Sequence, residues 1–425
     1  MSEPASPVAE RHDPYAALRH RDYRLYFLGR LLLVIGAQSQ SVAVGWEVYE
    51  RTRSSFALGL IGLVLGLPVI ALALPGGHLA DNHDRRLLVT ISGLVMALSA
   101  LSLAAISHWR GPVPLIFVAL FIDGVAAAFN YPARISLLPQ IVPREHFASA
   151  VTWSSTAFLV SAAIGPVVGG LIIARTHGAS PVYLLDFALV LVFIALILGI
   201  RGRRKLGTAE KMTLASLAAG FHFVRDTEVI LAAITLDLFA VLLGGATALL
   251  PIFAKDILRV GPDGLGWLRA APSVGALISA VVIAHLPPMR GAGRKLFLAV
   301  VGFGLATIVF GLSKSFALSI AMLFTLGALD AISMVIRSTL VQVRTPDIMR
   351  GRVSAVNGMF VDTSNELGAF ESGAVASLVG PVASVVAGGI GTLLSVVFIM
   401  RKWPALLRLD SLQSDEDAIS EGKEP

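Results

Sequence analysis

Apolar residues run through this chain in blocks of about twenty, separated by short stretches rich in Arg, Gly and Pro. A helix needs about 20 apolar residues to cross the hydrocarbon core of a bilayer. Twelve blocks meet that length, at 25–47, 56–77, 87–107, 114–134, 149–174, 181–200, 228–251, 264–286, 295–313, 316–337, 352–376 and 381–400. The pattern predicts an all-α integral membrane protein of twelve transmembrane helices. One long interior connection, 201–227, divides them six and six. The expected organisation is a cytoplasmic N-terminal segment (1–24), a six-helix bundle (25–200), a cytoplasmic linker (201–227), a second six-helix bundle (228–400) and a disordered cytoplasmic tail (401–425). In the linker, Leu214, Leu217, Phe221 and Val224 recur at helical spacing, which predicts an amphipathic helix on the membrane surface.

Composition narrows the class. Of the 425 residues, 55% are apolar and 15% charged, against about 25% charged in a soluble domain. The mean hydropathy is +0.77. Too little charge is present to cover a soluble surface, so a soluble enzyme and a disordered chain are both excluded. Cysteine is absent, which removes disulfides, thiolate metal sites and thiol catalysis. No phosphate-binding Walker A loop and no His-Glu-x-x-His zinc pattern occurs; neither a cofactor nor a metal is expected. Residues 1–24 are polar and lack the apolar core of a secretory signal.

The net charge is +6. The basic residues sit in short loops instead of a patch with aromatic platforms, so they speak for membrane topology and not for nucleic acid. With the N-terminus inside, 25 of the 34 Lys and Arg fall in inside segments and 7 outside, with Arg30 and Arg269 left within spans. That split predicts both termini in the cytoplasm. The halves also look duplicated. Arg134 and Pro143 after the fourth span match Arg337 and Pro346 after the tenth. Gly62 and Pro68 in the second span match Gly266 and Pro272 in the eighth, and Arg85-Arg86-Leu87 matches Arg294-Lys295-Leu296. Together these predict two pseudo-symmetric bundles.

Residues 77–86, with Gly77, Asp81, Arg85 and Arg86, lie between the second and third spans. They resemble motif A of the major facilitator superfamily, with Asp84 where that motif carries a second glycine. The fifth span carries Gly165-Pro166-Val167-Val168-Gly169-Gly170, with Ser161 upstream. This resembles motif C, the antiporter motif. Residues 44–49, 236–239 through 250–251, 264–272 and 364–373 are similar to a narrower group, the twelve-helix exporters that include enterobactin-type siderophore and macrolide efflux proteins. The resemblance spans essentially the whole chain. It implies the major facilitator fold, with the first, fourth, seventh and tenth spans lining a central cavity. It also implies that Asp81 faces the N-terminus of the eleventh span, where a helix dipole favours negative charge, with Arg85 and Arg86 adding bridges. Motif C would seal helices that approach closely, because its glycines remove side chains at the contact.

Ionisable groups at bilayer depth are costly unless paired or wet, and so mark function. The proton-coupling candidates are Asp237, Asp123, Asp330, Asp362 and Glu366. Asp237 leads, about nine residues or about 13 Å into its helix; a structural ion pair is the other reading. Asp362 and Glu366 are four apart, on one helix face, where two ionised acids repel. Arg30, Arg269, Gln38, Gln40 and Glu371 are the cavity or charge-pair candidates. Arg30 either pairs with an acid or snorkels to headgroups, and Arg269 would neutralise the Asp362–Glu366 face. Asp186 reads as structural.

The expectation is a secondary transporter, not an enzyme, that exports a small molecule (drug, siderophore or metabolite) by proton-coupled alternating access. The alternative is proton-coupled uptake of a small metabolite, and a further one is a non-transporting sensor or scaffold. The implied partners are the bilayer, a small-molecule substrate and protons. The chain is expected as a monomer in the cytoplasmic membrane.

Overall fold

The computed structural model describes residues 13, 15–201, 214–286 and 291–409. The chain folds into long helices: α1 (Arg21–Thr52), α2 (Ser55–Asn82), α3 (Arg85–His108), α4 (Val113–Ile141), α5 (Phe147–Thr176), α6 (Ser180–Leu198), a short α7 (Leu214–Asp226), α8 (Glu228–Leu243), α9 (Gly261–Ala284), α10 (Ala292–Leu312), α11 (Phe316–Arg344), α12 (Asp347–Val379) and α13 (Pro381–Lys402). Local chemistry sets the sharp turns. Ser54 caps α2 by accepting from the Ala57 N–H at 3.2 Å. Asp84 caps α3 by accepting from the Arg86 N–H at 3.0 Å. Gly380, at φ 90°, turns α12 into α13.

Among the described residues, eleven helical segments are long and apolar enough to cross a membrane. The expected eleventh span, α12, is not one of them. It is 33 residues long, but Asp362, Glu366 and Glu371 lower its apolar character. The seventh span also differs from one continuous helix. It breaks at Gly244 and Gly245, then resumes as a chain of short turns through Ile257. Discontinuous spans of this kind occur where backbone lines a cavity or is buried in protein. The linker helix α7 buries Val224 with Ile230 of α8, Val341 of α11 and Val353 of α12, so protein rather than lipid covers that part of its apolar face. Residues 202–213 and the tail from Asp410 lie outside the described residues.

Two helix crossings tie the first six spans to the last six. In one, α2 meets α12: a Cβ on Gly59 would stand 3.0 Å from the Cα of Gly373. In the other, α5 meets α9: a Cβ on Gly170 would stand 3.0 Å from the Cα of Gly266. Spans two and eight correspond under the duplication, as do five and eleven, so the two crossings are equivalent.

The apolar core divides along the bundle axis. At one end a single cluster takes in Val48 of α1, Leu103 of α3, Ile116 of α4, Tyr183 of α6, Phe253, Leu268 of α9, Phe310 of α10 and Leu323 of α11. It therefore joins both sets of six spans. At the other end the cluster holding Tyr23, Leu137 and Phe193 is separate from the one holding Leu236, Leu296 and Leu340, and from the α7 cluster. The bundle is joined at one end and divided at the other.

Candidate functional site

At the joined end, polar groups reinforce the apolar core. Glu50 of α1 pairs with Lys255 at 3.0 Å, and Arg53 pairs with Asp256 at 3.1 Å. The Tyr49 hydroxyl donates to the same Asp256. The Lys255 ammonium lies 4.9 Å from the centre of the Trp46 ring. Beneath this layer Glu47, 6% exposed, accepts from the Tyr183 hydroxyl at 2.8 Å and pairs with Arg51 at 3.4 Å. Neither Glu50 nor Asp256 stands out in the sequence, and Glu47 does so only as part of the exporter-like stretch 44–49. Their partners lie up to some two hundred residues away, and Lys255 and Asp256 read as loop.

Motif C lies just inside this closure. The Ser39 hydroxyl donates to the Gly165 carbonyl at 2.7 Å, and Ser161 donates to the Leu31 carbonyl at 3.1 Å. A Cβ on Gly165 would stand 2.8 Å from the Ile35 carbonyl oxygen, and one on Gly169 2.7 Å from that of Ser39. A Cβ on Gly266 would stand 2.6 Å from the Pro166 carbonyl oxygen. This run therefore packs α5 between α1 and α9, a contact that side chains would prevent. Arg269 of α9 reaches α1 beside it and donates to the Ser41 hydroxyl at 2.8 Å.

At the divided end, motif A makes contacts within its own half. Arg85 donates to the carbonyls of Ala80 (3.2 Å) and Ser136 (2.8 Å), and Arg86 to that of Ile200 (2.9 Å). Asp81 is exposed, and no hydrogen bond or ion pair ties it to α12 among the described residues. Gly77 faces open space. The cores are separate at this end, and the tie from Asp81 to α12 that the resemblance implies is not among the bonds of the described residues.

The intramembrane acids fall into distinct environments. Asp237 of α8 forms an ion pair with Arg337 of α11, their side chains 7% and 5% exposed. Asp237 and Asp330 together line a cavity of about 10 Å³, room for about one water. The apolar block ends at Arg337, which therefore reads as loop in the sequence; α11 runs on to Arg344. Its match with Arg134 in the repeat was the signal that could have found it. Asp123 of α4 is a neighbour of Asp186 of α6. Asp186 is 4% exposed and its Oδ1 has no hydrogen-bond partner.

On α12, Asp362 is exposed and Glu366 half-buried. The Glu366 side chain lies over Gly62 and Gly66 of α2. No cation stands within ion-pair distance of either acid among the described residues, and Arg269 bonds Ser41 instead. Glu371 accepts from the Ser372 hydroxyl at 3.5 Å. Gln40 is buried with its Oε1 unpartnered.

A larger cavity of about 310 Å³ lies against the first set of spans, bordered by Gln38 of α1, Asn130, Tyr131 and Arg134 of α4, and Phe158 of α5. Such a volume suits one small organic molecule.

A membrane-embedded bundle of duplicated halves, joined at one end and divided at the other, with a small-molecule-sized cavity against its first half, defines a transporter of the major facilitator fold. The chain belongs to the transmembrane secretion effector family, whose model matches residues 12–421. It is 26% identical over 382 residues to the enterobactin exporter EntS of Shigella boydii serotype 18, covering 90% of this chain and 91% of that protein. The same figures hold for the enterobactin exporter EntS of Escherichia coli O1:K1 / APEC. Among solved structures it superposes on a POT family transporter bound to a thioalcohol-conjugated peptide, with TM-score 0.73, 12% identity and 91% and 96% coverage of the two chains. A D-xylose–proton symporter gives TM-score 0.69, 15% identity and 92% and 99% coverage. At these identities the structural likenesses show the fold.

Proposed function

We propose that this protein exports a small molecule from the cytoplasm in exchange for protons, by alternating access between two six-helix bundles. The observation that carries the reading is the single apolar core at one end of the molecule and the divided cores at the other. An alternating-access carrier must be able to hold such a one-sided state and its mirror image. The two glycine-lined crossings, α2 with α12 and α5 with α9, would be the surfaces on which the bundles rock. In this reading α12 crosses the membrane as the eleventh span. Its Glu366 lies over α2, and intramembrane charge belongs against protein or water instead of lipid.

The distribution of Lys and Arg supports placing the divided end, with both termini and the linker, in the cytoplasm. The protein then rests open to the cytoplasm, ready to receive cargo. The relatives' name, enterobactin exporter, supports export, and puts siderophores among the compounds to test. We read the chain as a monomer of the bacterial cytoplasmic membrane, with bundles at 25–200 and 228–400.

Asp237 is our coupling carboxylate. While ionised it balances Arg337 in a place where an unpaired charge is costly. A proton arriving on Asp237 would break that balance and leave Arg337 to seek another partner. This changes the relative stability of the two bundle arrangements. Asp330, which lines the same small cavity, would share the proton through a water. Asp362 and Glu366 form a second candidate group.

Everted vesicles carrying a pH-sensitive dye test the proposal. Drugs, siderophores and small metabolites are added singly to energised vesicles. The account expects one class of compound to release lumenal protons only when this protein is present. Transport without proton movement would contradict it, as would protons moving in the same direction as the compound.

A further inference from the structure

The cavity beside α1 and α4 carries chemistry that the coupling acids do not explain. Arg134 borders it, and no carboxylate does. Arg30 is one turn from Leu33 and Val34, which also border it, so Arg30 shares their face of α1. Tyr26 links the two arginines: it lies one turn before Arg30 on α1, and its hydroxyl donates to the Arg134 carbonyl at 3.2 Å. Neither arginine has a carboxylate within ion-pair distance among the described residues, and the Arg30 Nε is buried without a hydrogen-bond partner. Two guanidinium groups inside a membrane protein with no counter-charge are an expensive arrangement. An anion delivered to the cavity would relieve it.

The rest of the wall is aromatic and amide. The Arg134 guanidinium lies 6.0 Å from the centre of the Tyr131 ring, and that ring is 56% exposed. Phe158 borders the same space from α5. The Asn130 amide is committed to α3, donating to Ser92 at 3.0 Å and to the Val89 carbonyl at 3.3 Å. Gln38 sits further along α1 without that commitment. The space therefore has a cationic end and an aromatic middle.

Resting on the transport reading above, we propose that this cavity takes a small aromatic organic anion, its acid group at Arg30 and Arg134 and its ring against Tyr131 and Phe158. This reverses what the intramembrane acids suggest when read alone, since Asp237 and Asp330 face a different, water-sized space. The arrangement also suits direction. Negative charge leaving a cell whose interior is negative travels down the membrane potential.

The test is binding to the purified protein in lipid nanodiscs, with no gradient. The probes are 2-naphthoate and 2-naphthylmethylammonium, which share a ring system and differ in charge. The expected result is that naphthoate binds and the cation does not compete. Arg134→Gln and Arg30→Gln should each weaken naphthoate binding by about tenfold, and Arg134→Lys should keep most of it. The inference is overturned if the cation binds as well as the anion. It is also overturned if naphthoate fails to bind the folded protein, or if Arg134→Gln leaves its affinity unchanged. Proton-linked movement of some other compound in the vesicles, alongside any of those results, would leave the transport reading standing and remove only the anion.

Discussion

Arg337 and Asp237 form an ion pair inside the second half of the molecule, joining α11 to α8, with both side chains less than a tenth exposed. Removing one partner of a buried pair strands the other, at a cost of about 3–5 kcal/mol. Replacing both with neutral groups removes much of that cost.

This asymmetry separates folding from coupling. Asp237→Asn should lower thermal stability and abolish proton-linked transport. The double variant Asp237→Asn with Arg337→Gln should recover most of the stability and none of the coupling. Melting temperature and vesicle proton release, measured on all three proteins, check this. Wild-type pH dependence in Asp237→Asn would remove Asp237 from the coupling role.

The α5–α9 crossing should tolerate no side chain. Gly266→Val places carbon where the Pro166 carbonyl oxygen already stands, 2.6 Å from the Cβ position. Overpacking of this kind costs about 1–3 kcal/mol. Because the crossing is this tight in the arrangement closed at the joined end, the variant should also lose that resting state. Transport falls and labelling from the outer side rises. Unchanged transport and stability would mean that the crossing is loose.

The closure at the joined end should shift by degrees. Glu50–Lys255 and Arg53–Asp256 are partly exposed pairs, each worth about 0.2–1 kcal/mol. Asp256→Asn removes the shared partner of Arg53 and Tyr49. It should raise the population open on that side by up to about fivefold. Double electron–electron resonance between labels across that end would show a longer distance gaining population. No change in the distance distribution would assign closure to the apolar core alone.

Asp186 offers a contrast with Asp237. Its Oδ1 has no hydrogen-bond partner and presses against Gly36 of α1. Asp186→Asn keeps the shape and removes a buried acid beside Asp123. Stability should hold or rise, and transport should stay within about twofold of wild type. Loss of proton-linked transport in this variant would move Asp186 into the coupling group.

The helices were legible because the bilayer imposes one length on every apolar block, and the motif C glycines because close packing needs small residues. Arg337 was hidden because a basic residue at the edge of an apolar block reads as loop. The Glu50–Lys255 closure was hidden because nothing local marks a pair made between distant segments. The α12 helix was found as a block, yet its acids keep it below the apolarity of the other spans. The clustering of Arg30 and Arg134 needed three dimensions, since α1 and α4 are brought together only by the bundle.

The central claim is that one cavity faces the two sides of the membrane in turn. The chain contains no cysteine, so Gln38→Cys, on the wall of the larger cavity, gives a single label site without background. A membrane-impermeant maleimide is applied to everted and to right-side-out vesicles. The account predicts labelling from the cytoplasmic side at rest, and from the outer side only when cargo and a proton gradient are both present. Labelling from one side under every condition, or from both sides at rest, would contradict it.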